Sequence, residues 1–214
     1  MNFPITQVLN FFDEPSKVVE IANQATFTDN TGVYPGKRSL PIHQINSGLF
    51  HHTVKRILRL FYNVDEFHNI QYSANMTFQK ISPNNVIQNG GFIHHDLNSL
   101  LTCIIYLNNN TDIGTSIYQP KNIGVGFEHQ EIKKNYYLGK NNNKTDIENA
   151  LKDNKNNFQL VSKFNSIYNS AVMFDGAYAH GADLNLQSER LTLITFIDKL
   201  TVGRFPIPDM KKVL

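Results

Sequence analysis

Three residues of this 214-residue chain, His94, Asp96 and His180, have types and spacing that suit a single metal ion. Eight histidines are present, and only His94 opens an H-x-D triplet. Such a triplet is weak by itself, since roughly 0.4 would arise by chance at this composition. Geometry strengthens it. On a strand, residues i and i+2 point to one face, so His94 and Asp96 can reach one ion while His95 faces away. A Gly-Gly pair before the triplet and Asn-Ser after it place it at a strand end. The third ligand should come from a neighbouring strand, and His180 qualifies, following SAVMFDG through a short AYA step. Asp183 lies beyond it in a turn and reads as structural.

Two imidazoles and one carboxylate on one face of an octahedron leave three open positions, the arrangement of non-heme Fe(II) oxygenases. A zinc hydrolase would want fewer, and the H-E-x-x-H signature is absent. 2-Oxoglutarate can fill two positions through its 2-oxo group and C1 carboxylate, leaving one for O2. Its far C5 carboxylate then needs a buried cation. Arg190 opens RLTLITFID ten residues after His180, and its planar fork can hold a carboxylate bidentately. It shares a face with Thr192 and Ile194, and an inward arginine is costly unless an anion pairs with it. A surface ion pair of Arg190 with Glu189 or Glu20 is the plainer alternative.

These residues need a scaffold, and the hydrophobic pattern predicts one. The first quarter reads as helical. Asp13 and Pro15 open one helix with Val18, Ile21, Ala22 and Ala25 on its apolar face, and Ser47 can cap a second, SGLFHHTVKRILRLFY. From residue 70 the period changes to two, and short strands follow at IQYSANMTFQKI, GFIHHD, LLTCIIYLN, GTSIYQ, FQLVSKF, SAVMFDG and RLTLITFID. The expected fold is one domain over 1–214, mainly β with flanking helices. Helical support occupies 1–68 and a double-stranded β-helix (jelly-roll, cupin-like) core 70–200. Between 122 and 157 an Asn- and Lys-rich insertion should hold one short exposed helix within polar loop.

Composition narrows the partners. A net charge of +2 is too small to imply nucleic acid or a membrane surface, and the longest apolar run, 100–107, is too short to span a bilayer. The start MNFPITQVLNFFDEP lacks a secretory signal, and the single Cys103 cannot form an internal disulfide, so a cytoplasmic protein is expected. Cys103 reads as a buried small hydrophobe. His51 and His52 read as a solvated helix face. Arg38, in YPGKRS, could reach the site's mouth and hold an acidic substrate group, although a surface role fits its loop better.

With HHD at 94–96, LTCIIYLNN at 101–109, GTSIYQP at 114–120, AYAHGAD at 177–183 and ERLTLITFID at 189–198, the chain resembles the 2-oxoglutarate/Fe(II) dioxygenases, in the prolyl-4-hydroxylase-like branch. YPGKRS beside a short enzyme core also resembles oxygenases encoded by bacteriophages, which would put the protein in a host cytoplasm. The resemblance implies Fe(II) on His94, Asp96 and His180, with Arg190 holding the cosubstrate's C5 carboxylate and Tyr106 hydrogen-bonding it. Thr102 and Thr192 would line the cosubstrate site, and Tyr106 as a plain core aromatic stays open. The residue for the C1 carboxylate is not aligned, with Gln79 and Asn84 as candidates. The implied reaction hydroxylates an amino acid or peptidyl residue such as proline, using O2 and releasing succinate and CO2. A small-molecule oxidase of the same superfamily and a non-catalytic β-barrel binding module are the alternatives.

Overall fold

The computed structural model describes residues 3–28, 32–62, 70–83, 91–108, 110–122, 130–138, 140, 143–183 and 188–201. Asn84, His68 and His129 lie outside them. A seven-stranded antiparallel sheet runs in the order β1 (Thr6–Val8), β8 (Ala171–Asp175), β5 (Leu101–Tyr106), β10 (Arg190–Thr201), β4 (Gln71–Ile81), β3 (Lys37–Ser39) and β2 (Phe27–Thr28). A second sheet holds β7 (Phe158–Ser166), β6 (Asn110–Pro120) and β9 (Ala179–Ala182), again antiparallel. Two antiparallel sheets with helices outside make the jelly-roll expected of the sequence. No helix among the described residues is long and apolar enough to cross a membrane.

The central strands of the large sheet are buried on both faces, and side-chain parity sorts them. Leu101, Cys103 and Ile105 of β5, with Leu191, Leu193 and Ile197 of β10, join one core. That core is completed by Val18 and Ala22 of α1 (Pro15–Gln24), Ile42 of α2 (Ile42–Ile45) and Phe50, Val54, Ile57 and Leu58 of α3 (Ser47–Arg59). The α3 spacing of i, i+4, i+7 and i+8 makes one apolar stripe, which the sheet covers. On the opposite face of β5, Ile104 and Tyr106 pack with Val172 and Phe174 of β8 and with Ile117 of the small sheet. One face of the large sheet therefore carries the helices and the other faces the site. Cys103 falls on the helix side, where burial raises its thiol well above the ordinary range.

Three local expectations shift. Asn46, not Ser47, caps α3, its Oδ1 accepting from Leu49 N at 2.9 Å. Glu14 holds the N-cap position of α1 without a side-chain cap, with Pro15 beginning the helix as its fixed φ favours. Among the described residues, 122–157 holds two helices, α4 (Gln130–Tyr137) and α5 (Lys144–Asn156), rather than one exposed helix. Ile147, Ala150 and Leu151 of α5 are buried against Phe92. Their i, i+3, i+4 spacing is a helical stripe that the polar composition around it hides.

A buried asparagine ties the N-terminal segment to the turn after β7. Asn169 adopts a φ of 59°, accepts from Phe12 N and donates to Phe12 O, both at 2.8 Å, and its own N–H reaches Tyr106 O at 2.8 Å. Asparagine tolerates left-handed backbone and supplies both a donor and an acceptor. Asn169→Ala leaves a buried N–H and carbonyl of Phe12 without partners, and should lower stability by about 2–4 kcal/mol in urea denaturation. Asn169→Gly, which relieves the backbone but not the lost bonds, should recover only a minor part.

Candidate metal centre

His94 lies outside any long strand, and its backbone pairs with that of His180 in β9, His94 N to His180 O at 2.9 Å and His180 N to His94 O at 2.8 Å. This bridge sets the two imidazoles side by side, with ring centroids 4.4 Å apart. Asp96 is held by its own N–H to Gly176 O at 2.8 Å. Gly176 has to be glycine, because a Cβ there would lie 2.1 Å from Ser99 O and 2.5 Å from Asp96 O. The chain thus turns tightly under Asp96 and aims its carboxylate at the two rings.

Both imidazoles are oriented from behind. His94 Nδ1 lies 2.9 Å from Phe92 O, and His180 Nδ1 lies 3.0 Å from Tyr178 O. Those carbonyls can only accept, so each Nδ1 donates and each Nε2 is the nitrogen left to ligate. The Nε2 atoms face the carboxylate, at 3.7 Å from His94 to Asp96 Oδ1 and 3.2 Å from His180 to Asp96 Oδ2. One ligand atom from each of the three lies within 4.8 Å of the others. Thr102 Oγ1 donates to Asp96 Oδ2 at 2.9 Å. Burial, then the charges of Lys133 and His180, hold the His94 imidazole well below its usual range, so it is neutral. Burial would raise the Asp96 carboxyl, but His180, His94 and the Thr102 hydrogen bond outweigh it and keep it ionised. A neutral His94 imidazole, an ionised Asp96 carboxylate and two rings fixed through Nδ1 suit the binding of a divalent cation. His95 points elsewhere, its Nδ1 2.9 Å from Ala177 O.

The triad opens into a cavity of about 890 Å³ between the two sheets. At its inner end Arg190 is only 3% exposed. Its Nη2 donates to Thr115 Oγ1 at 3.4 Å, and its Nε has no hydrogen-bond partner among the described residues. The guanidinium carbon sits 5.4 Å from the Tyr106 ring centroid. No described carboxylate forms a salt bridge with it. Burial lowers the Arg190 pKa, which Tyr106 and Asp183 oppose. Tyr106 donates to Thr115 Oγ1 at 2.8 Å, so Thr115 joins the two residues. Thr192 is buried with an unpartnered hydroxyl and does not line the cavity. The Thr102 hydroxyl is committed to Asp96. Gln79 lines the cavity with its amide nitrogen tied to Pro35 O at 2.7 Å. Asp183 accepts from Ser116 Oγ at 3.0 Å and pairs with Lys163 at 3.5 Å, a structural role.

Two cavity residues depart from the sequence reading. Arg38 is not a surface group. It lies against the Tyr34 ring at 3.9 Å and the Phe196 ring at 5.5 Å, inside the cavity wall, because β3 pairs with β4 and puts Arg38 opposite Gln79. Lys133 of α4 also lines the cavity, and no sequence motif marks it. Burial lowers its ammonium to about 8, Asp96 opposing the shift and Arg38 adding to it.

The fold defines a class. The structure is similar to an oxidoreductase of the 2OG-Fe(II) oxygenase family from Burkholderia pseudomallei, at 13% identity and TM-score 0.50, covering 91% of this chain and 84% of that one. It is also similar to the non-heme alpha ketoglutarate dependent epimerase SnoN from nogalamycin biosynthesis, at 10% identity and TM-score 0.52, covering 92% and 79%. A complex of that epimerase with Fe3+, alpha ketoglutarate and nogalamycin RO gives 9%, 0.51, 94% and 81%. At these identities the likeness is one of fold, the double-stranded β-helix of such oxygenases. The model of a family of unknown function, DUF6445, matches residues 2–197, and the chain belongs to that family. No curated protein matches.

Thr102→Val keeps the shape of the side chain and removes the bond to Asp96. Isothermal titration with Mn(II) as the probe cation should show affinity reduced about tenfold with the fold intact. Unchanged affinity would separate Thr102 from the metal-binding role of Asp96.

Proposed function

We propose that this protein is an Fe(II)- and 2-oxoglutarate-dependent oxygenase, with His94, Asp96 and His180 holding the metal and Arg190 the cosubstrate's C5 carboxylate. The observation that carries the reading is Arg190: a buried guanidinium with an unpaired Nε, in the same cavity as a two-His, one-Asp cluster. An unpaired buried charge is costly, and a carboxylate from outside the chain would relieve it. Tyr106 and Thr115 then support that carboxylate's end of the cavity, while Arg190 fixes its position by two parallel hydrogen bonds. The bound Fe(II) supplies O2 activation coupled to decarboxylation of 2-oxoglutarate to succinate. The remaining work falls to the protein. The Nδ1 bonds to Phe92 O and Tyr178 O keep both imidazoles in the ligating tautomer. Thr102 steadies Asp96, and the apolar wall of Ile104 and Ile194 lowers the polarity around the reacting centre. The proposed reaction is hydroxylation at a substrate C–H bond, consuming O2 and 2-oxoglutarate and yielding hydroxylated substrate, succinate and CO2. An amino acid or peptidyl residue such as proline is the first substrate class to try.

Anaerobic addition of Fe(II) and 2-oxoglutarate should produce a visible charge-transfer absorption, and air should then yield succinate. Asp96→Ala should abolish the band. Arg190→Met should weaken 2-oxoglutarate binding by about 100-fold, the scale of losing one partner of a buried charge pair. Absence of both band and succinate in the wild-type protein would overturn the reading.

A further inference from the structure

The charges lining the cavity do not balance. Arg38, Lys133 and Arg190 face it, with Lys134 and Lys140 at its rim, against only Asp96 and exposed Glu131 among the described residues. Fe(II) and 2-oxoglutarate would not correct this, since a dication and a dianion cancel. Arg190 is accounted for by the cosubstrate, which leaves Arg38 and Lys133.

These two come from separate elements, β3 and α4, yet line one cavity. Both line the cavity that holds His94, Asp96 and His180, and Phe196, which lies against the Arg38 guanidinium, also lines a smaller pocket with Asp96. No described carboxylate forms a salt bridge with either. Arg38 is pre-oriented. The rings of Tyr34 and Phe196 lie against its guanidinium, and its Nε is buried without a hydrogen-bond partner among the described residues. Aromatic contact fixes the plane of a guanidinium and leaves its N–H edge free to bind an oxyanion. Two positive charges thus line the cavity of the candidate metal site with no salt-bridged carboxylate among the described residues, an arrangement that favours a ligand supplying an anion.

We infer that Arg38 and Lys133 anchor an oxyanion group of the substrate, a carboxylate or a phosphate, in the cavity of the candidate metal site. This rests on the proposed oxygenase reading for what lies at the metal, but the anchor itself is a binding property of the protein. The substrate would thus be a small acid or a phosphate ester, oxidised at a carbon held by its anionic end. An internal peptide residue, whose carboxyl is an amide, would lack that handle unless its side chain carried one.

The experiment uses ligand-observed NMR on the full-length protein, metal-free and again loaded with Zn(II) and 2-oxoglutarate. The probes are small carboxylic acids paired with their primary amides, and phosphate monoesters paired with the parent alcohols. Charged members should bind at least about tenfold more tightly than their neutral partners, and the acid and ester arms identify which oxyanion is preferred. Arg38→Met, which keeps the stem between the rings, and Lys133→Met should each erase that preference, whereas Arg38→Lys should retain part of it. Thermal unfolding of each variant monitors the fold. Equal binding of charged and neutral probes, or a preference that survives both methionine variants, would overturn the inference. So would an effect confined to 2-oxoglutarate affinity, since the pair would then serve the cosubstrate. If the wild-type protein gives no charge-transfer band yet keeps an Arg38-dependent preference, the oxygenase reading fails and the anchor stands.

Discussion

The site depends on one reciprocal pair of backbone hydrogen bonds, between His94 and His180. Eighty-six positions separate the two residues, and no covalent or local constraint brings them together. The bridge attaches the loop carrying His94 and Asp96 to the edge of the small sheet beside β9. Once it forms, the imidazoles must be neighbours, and the position of the carboxylate follows from the turn at Gly176. The backbone thus determines where the ligands stand, and the Nδ1 bonds to Phe92 O and Tyr178 O determine how their rings are turned. Because those acceptors are main-chain carbonyls, ring orientation is built into the strand pairing rather than added by separate side chains.

The large sheet solves a second problem, presenting polar groups inward without losing a core. Alternation along β5 and β10 sends Cys103, Ile105, Leu191 and Leu193 to the helices, and Thr102, Ile104 and Arg190 to the cavity. The register Thr192 opposite Tyr106 and Arg190 opposite Ile81 then fixes where the charge emerges. A slip of one residue would bury the arginine among the helices and present leucines to the cavity. The apolar burial on the helix side is what holds the charged face in place.

Much of this arrangement was legible in the sequence, because period-two alternation and the i, i+2 spacing of His94 and Asp96 report directly on strand faces. His180 and Arg190 were legible through their order along the chain, and the jelly-roll through the number of short strands. The parts that were not legible depend on long-range docking. Arg38 looked like a loop cation because YPGKRS carries turn residues, and only its pairing with β4 turns it inward. Lys133 sits in a lysine- and asparagine-rich stretch whose composition suggests solvent on all sides. Thr115 gave no signal beyond an ordinary strand threonine. The helix α5 was read as exposed because three apolar residues in thirteen make a faint stripe, although that stripe is buried.

Asn154, on the inner side of α5 and 2% exposed, acts on the chain next to the metal site. Its Oδ1 accepts from Ile93 N at 2.8 Å and its Nδ2 donates to Ile93 O at 3.1 Å, satisfying both backbone groups of the residue before His94. A side chain here stands in for the missing neighbour of an edge strand. The insertion and the ligand loop therefore form one cooperative unit: opening α5 exposes the Ile93 peptide groups and loosens the His94 bridge in the same event. Insertions in surface loops ordinarily vary freely in length and composition. This one cannot be trimmed as an appendage, because the ligand loop is completed by a helix that lies sixty residues further along the chain.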